Sequence, residues 1–164
     1  MNTTITIAPV RKSILVQAGT QRAFEVFTAG IDRWWPRTHN LGAAPITRIA
    51  IDPYVGGRWY NDLADGTQVT VGHVRAWEPG ERFVVGWEIS SAWKPESRTE
   101  LASEVEVRFV PVDARTTRIE IEHRDFERMG AEGGQKMRSA VENGWPTILR
   151  ILADEITAGA AGSR

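Results

Sequence analysis

Three histidines, His39, His73 and His123, are the side chains of this sequence that could transfer protons near neutral pH. His123 follows Ile119 and Ile121 in an alternating stretch, so a strand would place all three on one apolar face. A histidine there can be a core residue bonded to one neighbour, a polar anchor in a ligand pocket, or a catalytic base. The core role is the default for such a position, and the pocket anchor is its functional alternative.

Other catalytic signatures are missing from the sequence. It has no cysteine, which excludes zinc–thiolate sites, iron–sulfur clusters and cysteine nucleophiles. His39 and His73 have no spacing to each other or to a carboxylate that would predict a metal site. Neither a Ser–His–Asp signature nor a G-x-S-x-G motif occurs, and the pair Gly56 and Gly57 lacks the strand-to-helix setting of a phosphate-binding loop. We therefore assign no catalytic residue and expect no metal and no cofactor.

Tryptophan is unusually frequent, with seven copies against two tyrosines and five phenylalanines. Its flat, bulky ring suits either a thick core or contact with an aromatic ligand. Core packing is the simpler interpretation for each ring, but for the set we predict ligand contact by at least two. Trp34 and Trp35 are adjacent in a helical segment and point about 100° apart, so one should pack in the core and the other border a pocket mouth. Trp77 and Trp93 are left as lid or surface residues.

Hydrophobic periodicity predicts the elements that must position these residues. A strand over 10–17 precedes two short helical segments, the second of which ends before Pro36. A long helix begins at about Ala131, and Pro146 predicts a kink near residues 142–146. Between them lie six strands, over residues 46–52, 58–63, 67–77, 82–90, 103–111 and 116–125. A loop over 91–101 separates the fourth from the fifth, and the short polar turns between the others predict antiparallel pairing.

One face of this sheet must be covered, and only the C-terminal helix is long enough to cover it. The prediction is an α+β fold, in which a curved antiparallel sheet of about seven strands grips that helix. A strongly curved sheet leaves space beneath a helix, and this space is the predicted ligand pocket. Its wall and mouth are predicted from inward strand positions and one helix face: Trp34, Trp35, Trp59, Trp87, Phe109, His123, Met137, Val141 and Trp145.

Length and charge limit the partners. The 164 residues fit one domain, predicted over 1–158 and followed by a flexible tail over 159–164. The formal charge of −1 makes nucleic acid and membrane poor partners, and no run approaches the ~20 apolar residues of a membrane-spanning helix. The N-terminus has no signal-peptide pattern, so a cytoplasmic location is expected. The expected partner is a small hydrophobic or aromatic molecule, and a homodimer is left open.

Four segments make the chain similar to a known superfamily. They are VGGRWYNDLADG at 55–66, GHVRAWEPGERFVVGWE at 72–88, EIEHRDFERMG at 120–130 and NGWPTILRIL at 143–152. With the pair Trp34 and Trp35, they resemble the START-like, SRPBCC or helix-grip superfamily. Within it, the chain is similar to the group named for the C-terminal domain of the activator of the ninety-kilodalton heat-shock-protein ATPase. The resemblance implies the helix-grip fold, but a shared fold does not settle the chemistry.

Three functions are compatible with these observations. The first is non-catalytic binding of a small hydrophobic or aromatic molecule, which the inward aromatic set favours. The second is an enzyme of polyketide cyclase, aromatase or hydrolase type, in which the pocket orders the substrate and His123 or a pocket arginine assists. The third is a co-chaperone-like or stress-response interaction module. Surface charge of mixed sign gives the third no support, and the activator's additional N-terminal domain has no counterpart in these residues.

Overall fold

Seven strands and one long helix account for most of the backbone in this computed structural model, which describes residues 6–162. Residues 1–5 and 163–164, among them the end of the predicted tail, lie outside the described residues. Two short 3-10 turns, Thr99–Leu101 and Phe126–Met129, flank the last two strands. The main elements are β1 (Val10–Val16), α1 (Thr20–Phe27), α2 (Ile31–Trp34), β2 (Ile46–Ile51), β3 (Arg58–Leu63), β4 (Gln68–Glu78), β5 (Arg82–Trp87), β6 (Ser103–Asp113), β7 (Thr116–Arg124) and α3 (Ala131–Gly162).

The strands form one antiparallel sheet in the order β1-β7-β6-β5-β4-β3-β2. Strands β2 to β7 pair with their neighbours in sequence, and β1 closes the sheet on the free edge of β7. Tight turns join most of these neighbours, but a long loop over residues 88–102 joins β5 to β6. This arrangement confirms the predicted helix-grip α+β fold with its curved seven-stranded sheet and long C-terminal helix. Every pairing is antiparallel.

Bulges bend the sheet around the helix. The neighbouring residues Trp59 and Tyr60 in β3 pair with Gly72 and Thr70, which makes Val71 an extra residue in β4. A second shift follows in the pairing of β4 with β5. An extra residue bends its strand and increases the local twist. The two bulges also change which residues of β4 face inward partway along the strand, so simple alternation does not hold over its length.

Helix α3 covers the concave face of the sheet. Its apolar residues recur every three or four positions and are buried against inward-facing strand residues, as the periodicity predicted. The helix continues past Pro146 to Gly162. It therefore extends four residues beyond the predicted domain boundary at residue 158. The buried residues on this face of α3 are Met137, Val141, Trp145, Ile148, Leu149, Leu152 and Ile156.

Candidate functional site

An apolar cavity of about 380 Å³ lies between α3 and the concave face of the sheet. Three parts of the chain form its wall: one face of α3, the strands beneath it, and the loop that follows α2. A second loop, after β5, contributes at the mouth. The lining residues are Trp35, Thr38, His39, Asn40, Leu41, Val71, Trp87, Ile89, Trp93, Ala140, Val141, Gly144, Trp145 and Ile148.

Four tryptophans, Trp35, Trp87, Trp93 and Trp145, contribute to this wall. The ring centroid of Trp145 lies 6.1 Å from that of Trp35 and 5.7 Å from that of Trp87. Three of the rings are buried, whereas Trp93 is 45% exposed. Aromatic pairs contribute roughly 0.5–1.5 kcal/mol beyond the area that they bury. The wall therefore presents several flat surfaces to any molecule inside it.

The adjacent pair Trp34 and Trp35 divides between core and cavity. α2 ends at Trp34, and Trp35 has extended backbone angles before Pro36. The two rings still touch edge to face, with their centroids 5.5 Å apart, but they have different surroundings. The indole N–H of Trp34 donates to the backbone oxygen of Val26 at 2.9 Å, and its ring packs 5.0 Å from that of Phe27. Trp34 therefore belongs to the core, and only Trp35 lines the cavity.

The helical side of the cavity combines large residues with small ones. Val141 and Trp145 are four residues apart on one face of α3, and Ala140 and Gly144 are their small neighbours. A Cβ added to Gly144 would meet no atom within 4 Å, so this residue faces open space. The small side chains leave volume that a longer residue would fill.

His123 is fully buried behind the wall rather than in it. The indole N–H of Trp145 donates to its Nδ1 at 3.1 Å, and the hydroxyl of Ser103 lies 2.8 Å from its Nε2. An indole can only donate, so we assign the ring proton to Nε2, which donates to Ser103. Burial lowers the pKa of His123 to about 3, which keeps the ring neutral. Its role in this structure is to orient Trp145.

The other predicted residues also lie outside the cavity lining. Trp59 is fully buried, with its ring 4.7 Å from that of Trp35 and 6.0 Å from that of Trp87. Phe109 packs against aromatic rings of α1 and β5, and Met137 is a buried residue of α3. Of the predicted set, the structure brings four residues together around the cavity: Trp35, Trp87, Val141 and Trp145.

Two loops supply wall residues that are not in the predicted lining set. Thr38, His39 and Asn40 follow Pro36, and the side chain of Asn40 holds the loop by bonding Ala44 and Gly42. Strand parity carries no information about such segments. The only signal was their position directly after the tryptophan pair.

Trp93 lies in the second of these loops. Its backbone has a left-handed φ of 59°, which is rare for a bulky residue and costs about 1–3 kcal/mol. Its amide bonds the carbonyl of Ser90 at 2.9 Å, and a bridge between Ile89 and Pro95 closes the loop. These bonds hold an exposed indole at the cavity mouth.

His39 is the histidine that meets the cavity. Its ring edge approaches Trp35 at a centroid distance of 6.0 Å, and neither ring nitrogen has a hydrogen-bond partner among the described residues. The residue is exposed at the mouth, and partial burial of its ring lowers its pKa below the ordinary 6.5. At neutral pH the imidazole is therefore largely unprotonated.

The described residues contain neither a cluster of metal ligands nor a membrane-spanning helix. No group of three or more histidine, aspartate or glutamate side chains among residues 6–162 is arranged to hold a metal ion. No helix in the same range is both long and apolar enough to span a lipid bilayer.

Comparison with protein families gives a match over most of the chain. The family described as Activator of Hsp90 ATPase homolog 1-like protein matches residues 17–157. No curated protein matches the sequence.

Several solved structures share the fold. An anthrahydroquino-γ-pyrone synthase, Txn09, solved in complex with SUM, is 36% identical over 80% of this chain and 86% of its own, with a TM-score of 0.57. The self-sacrificing resistance protein CalC from Micromonospora echinospora is 30% identical over 92% of this chain and 95% of its own, with a TM-score of 0.66. The Aha1 dimer from Colwellia psychrerythraea is 14% identical over 92% of this chain and 96% of its own, at a TM-score of 0.62, which shows the fold alone.

Proposed function

We propose that this protein, which belongs to the Activator of Hsp90 ATPase homolog 1-like family, binds a small, flat aromatic molecule in the cavity between α3 and the sheet. The observation that carries the proposal is the set of four tryptophans, Trp35, Trp87, Trp93 and Trp145, around one cavity of about 380 Å³. That volume falls within the roughly 300–1,000 Å³ of small-molecule sites.

The distribution of polar groups supports a ligand with one polar edge. Most of the wall is apolar, and its hydrophilic side chains, Thr38, His39 and Asn40, are consecutive in one loop. Small-molecule sites commonly combine an apolar wall with a few polar groups that fix orientation. A flat guest would therefore place its rings against the indoles and its polar substituents toward residues 38–40.

An enzyme that uses the same cavity is the second candidate. The 36% identity to an anthrahydroquino-γ-pyrone synthase over 80% of the chain is the observation that favours it, since that protein's name describes the formation of an oxygen-containing ring on an aromatic system. Conversion of a bound molecule, rather than binding alone, would distinguish this function from the first. An interaction-module function rests on the family description and on the fold shared with the Aha1 dimer.

Binding can be tested by titrating the protein with alizarin, a flat hydroxylated anthraquinone, and following tryptophan fluorescence. We expect quenching, because the guest would contact several indoles. In Gly144→Leu the new side chain enters the open space beside Trp145. It should weaken alizarin binding by at least about tenfold, or 1.4 kcal/mol.

Thr147→Leu is the matched control, because Thr147 is an exposed residue of the same helix outside the cavity. It should leave alizarin binding unchanged. The proposal is wrong if alizarin and related flat aromatics change neither fluorescence nor melting temperature. Equal affinity in the wild type and in Gly144→Leu would show that any binding occurs elsewhere.

A further inference from the structure

The cavity wall contains one ionisable side chain among its described residues, and it is His39. The three histidines of the chain occupy three different environments. His123 is held between Trp145 and Ser103 and has no access to the cavity. His73 lines a different, shallow depression, where its Nδ1 lies 2.9 Å from both carboxylate oxygens of the buried Glu88. Only His39 combines access to the cavity with unengaged ring nitrogens.

The surroundings of His39 leave it available for proton transfer. The amide of Asn40 is already engaged, with its nitrogen on Ala44 and its oxygen on the amide of Gly42. The nearest charge in sequence, Arg37, is paired with Asp32 at 2.7 Å. No charged side chain belongs to the described cavity wall, and burial rather than a charged neighbour lowers the pKa of His39.

We propose that His39 is a general base that takes an acidic O–H or C–H proton from a flat aromatic molecule bound in the cavity. This inference rests on the proposed binding function and adds a catalytic residue to it. The proton moves to an imidazole nitrogen, and the electron pair stays on the oxygen or carbon of the guest. The resulting anion can rearrange or close a ring. The imidazolium then returns the proton to the product or to water, so the step needs no oxidant or reductant.

Trp35 positions a bound guest relative to His39 in this step. The indole and imidazole rings are in edge contact, with their centroids 6.0 Å apart, and the indole also lines the cavity. A guest stacked on the indoles would therefore have its edge near His39. Partial burial favours the unprotonated ring. A base of this kind is useful because it is free to accept a proton at neutral pH.

Nitrobenzisoxazole is a probe that tests the base without knowledge of the natural guest. It is flat and aromatic, and removal of its one acidic C–H breaks the N–O bond and places the electron pair on a coloured phenolate. We expect the wild-type protein to accelerate this opening. A positioned general base contributes roughly 10²–10⁴-fold, and for this surrogate guest we expect His39→Gln to lose at least about tenfold.

The pH dependence separates a base from a structural residue. The rate should rise with pH and level off above the pKa of His39, which lies below 6.5. His39→Gln should abolish that rise, and its kcat for nitrobenzisoxazole should fall by a larger factor than its KM changes. The matched control is His73→Gln, which changes the same residue type outside the cavity and should keep the wild-type rate and pH profile.

The outcomes distinguish the two proposals. A fall in kcat for nitrobenzisoxazole in His39→Gln that exceeds any change in KM supports His39 as the base. If alizarin binds and Gly144→Leu blocks it, but nitrobenzisoxazole opens equally fast with and without His39, the base is overturned and the binding function stands. If no flat aromatic binds the wild type, both proposals are overturned.

Discussion

His39 and His123 show how the environment decides what one side chain can do. Both lie close to the aromatic cluster around Trp35 and Trp145, yet His123 has both ring nitrogens bonded and His39 has neither. The sequence pattern identified His123 as inward-facing, and its ring is fully buried. Parity along a strand cannot tell a residue beside a cavity from one behind its wall, since both face inward. That distinction depends on side-chain packing in three dimensions.

The buried ring of His123 predicts a pH dependence of stability. Its pKa is lowered by burial from 6.5 to about 3, so between these values the unfolded chain binds a proton that the folded chain does not. Stability is therefore complete above pH 6.5 and decreases as the pH falls toward 3. Between about pH 7 and about pH 5.5, this one group should cost the wild type about 1 kcal/mol of unfolding free energy.

Urea unfolding of the wild type and of His123→Gln at both pH values measures this contribution. The variant should be less stable at neutral pH, because Trp145 and Ser103 lose their partner, but it should lose less stability on acidification. His39→Gln, which alters an exposed ring without a hydrogen-bond partner among the described residues, serves as the comparison. Parallel losses in the wild type and in His123→Gln would show that His123 is not the group responsible.

Among the secondary-structure elements, α3 is helical at positions where its local sequence disfavours a helix. Gly144 and Pro146 both disfavour helix interiors, and the sequence predicted one long helix with a kink near residues 142–146. The structure contains one helix from Ala131 to Gly162, with Pro146 inside it. Its buried residues on either side of the proline, from Met137 to Ile156, pack on the sheet and stabilise the helical path. Tertiary burial outweighs local propensity in this element.

The glycines of α3 provide a matched pair for testing this packing. Alanine at Gly144 meets no atom within 4 Å and should stabilise the protein by about 0.5–1 kcal/mol, the usual gain over glycine in a helix. Alanine at Gly134 would collide with the backbone oxygen of Phe126 and with Ile7 and should destabilise by about 1–3 kcal/mol. Unfolding in urea gives both values, and effects of the same sign at the two sites would contradict the packing described for α3.

Most of the element order could be predicted from the sequence, and the cavity wall only in part. Alternation and polar turns identify strands such as β3, whose bounds Arg58–Leu63 match the prediction, because side chains must alternate between core and solvent. Val71 in its bulge and the loop residues His39 and Trp93 could not be assigned to the cavity wall, since none of them lies in a segment with regular periodicity. The cavity depends most on these irregular parts of the chain.

At the scale of the whole molecule, the two faces of the sheet have different tasks. The concave face packs against α3 and forms the cavity, whereas the outer face carries linked ion pairs. Arg124 bonds Glu104, Glu106 and Glu122 at 2.6–2.8 Å. Burial disfavours the charged form of Glu106, but hydrogen bonds from Arg124 and Arg108 outweigh it and lower its pKa below the usual range. These pairs join β6 and β7 without touching the cavity.

Substitutions of Arg124 and Arg118, which both lie in β7, should change stability without changing ligand binding. Arg124→Met leaves buried Glu106 with fewer donors and should lower the unfolding free energy by about 2 kcal/mol, in the range for hydrogen bonds to charged groups. Arg118 pairs with Glu120 in a largely exposed position, so Arg118→Met should cost only about 0–1 kcal/mol. Both variants should keep wild-type affinity for alizarin, because neither arginine lines the cavity. Urea unfolding and fluorescence titration measure the two properties separately, and a large loss of affinity in Arg124→Met would show that the outer face controls the cavity.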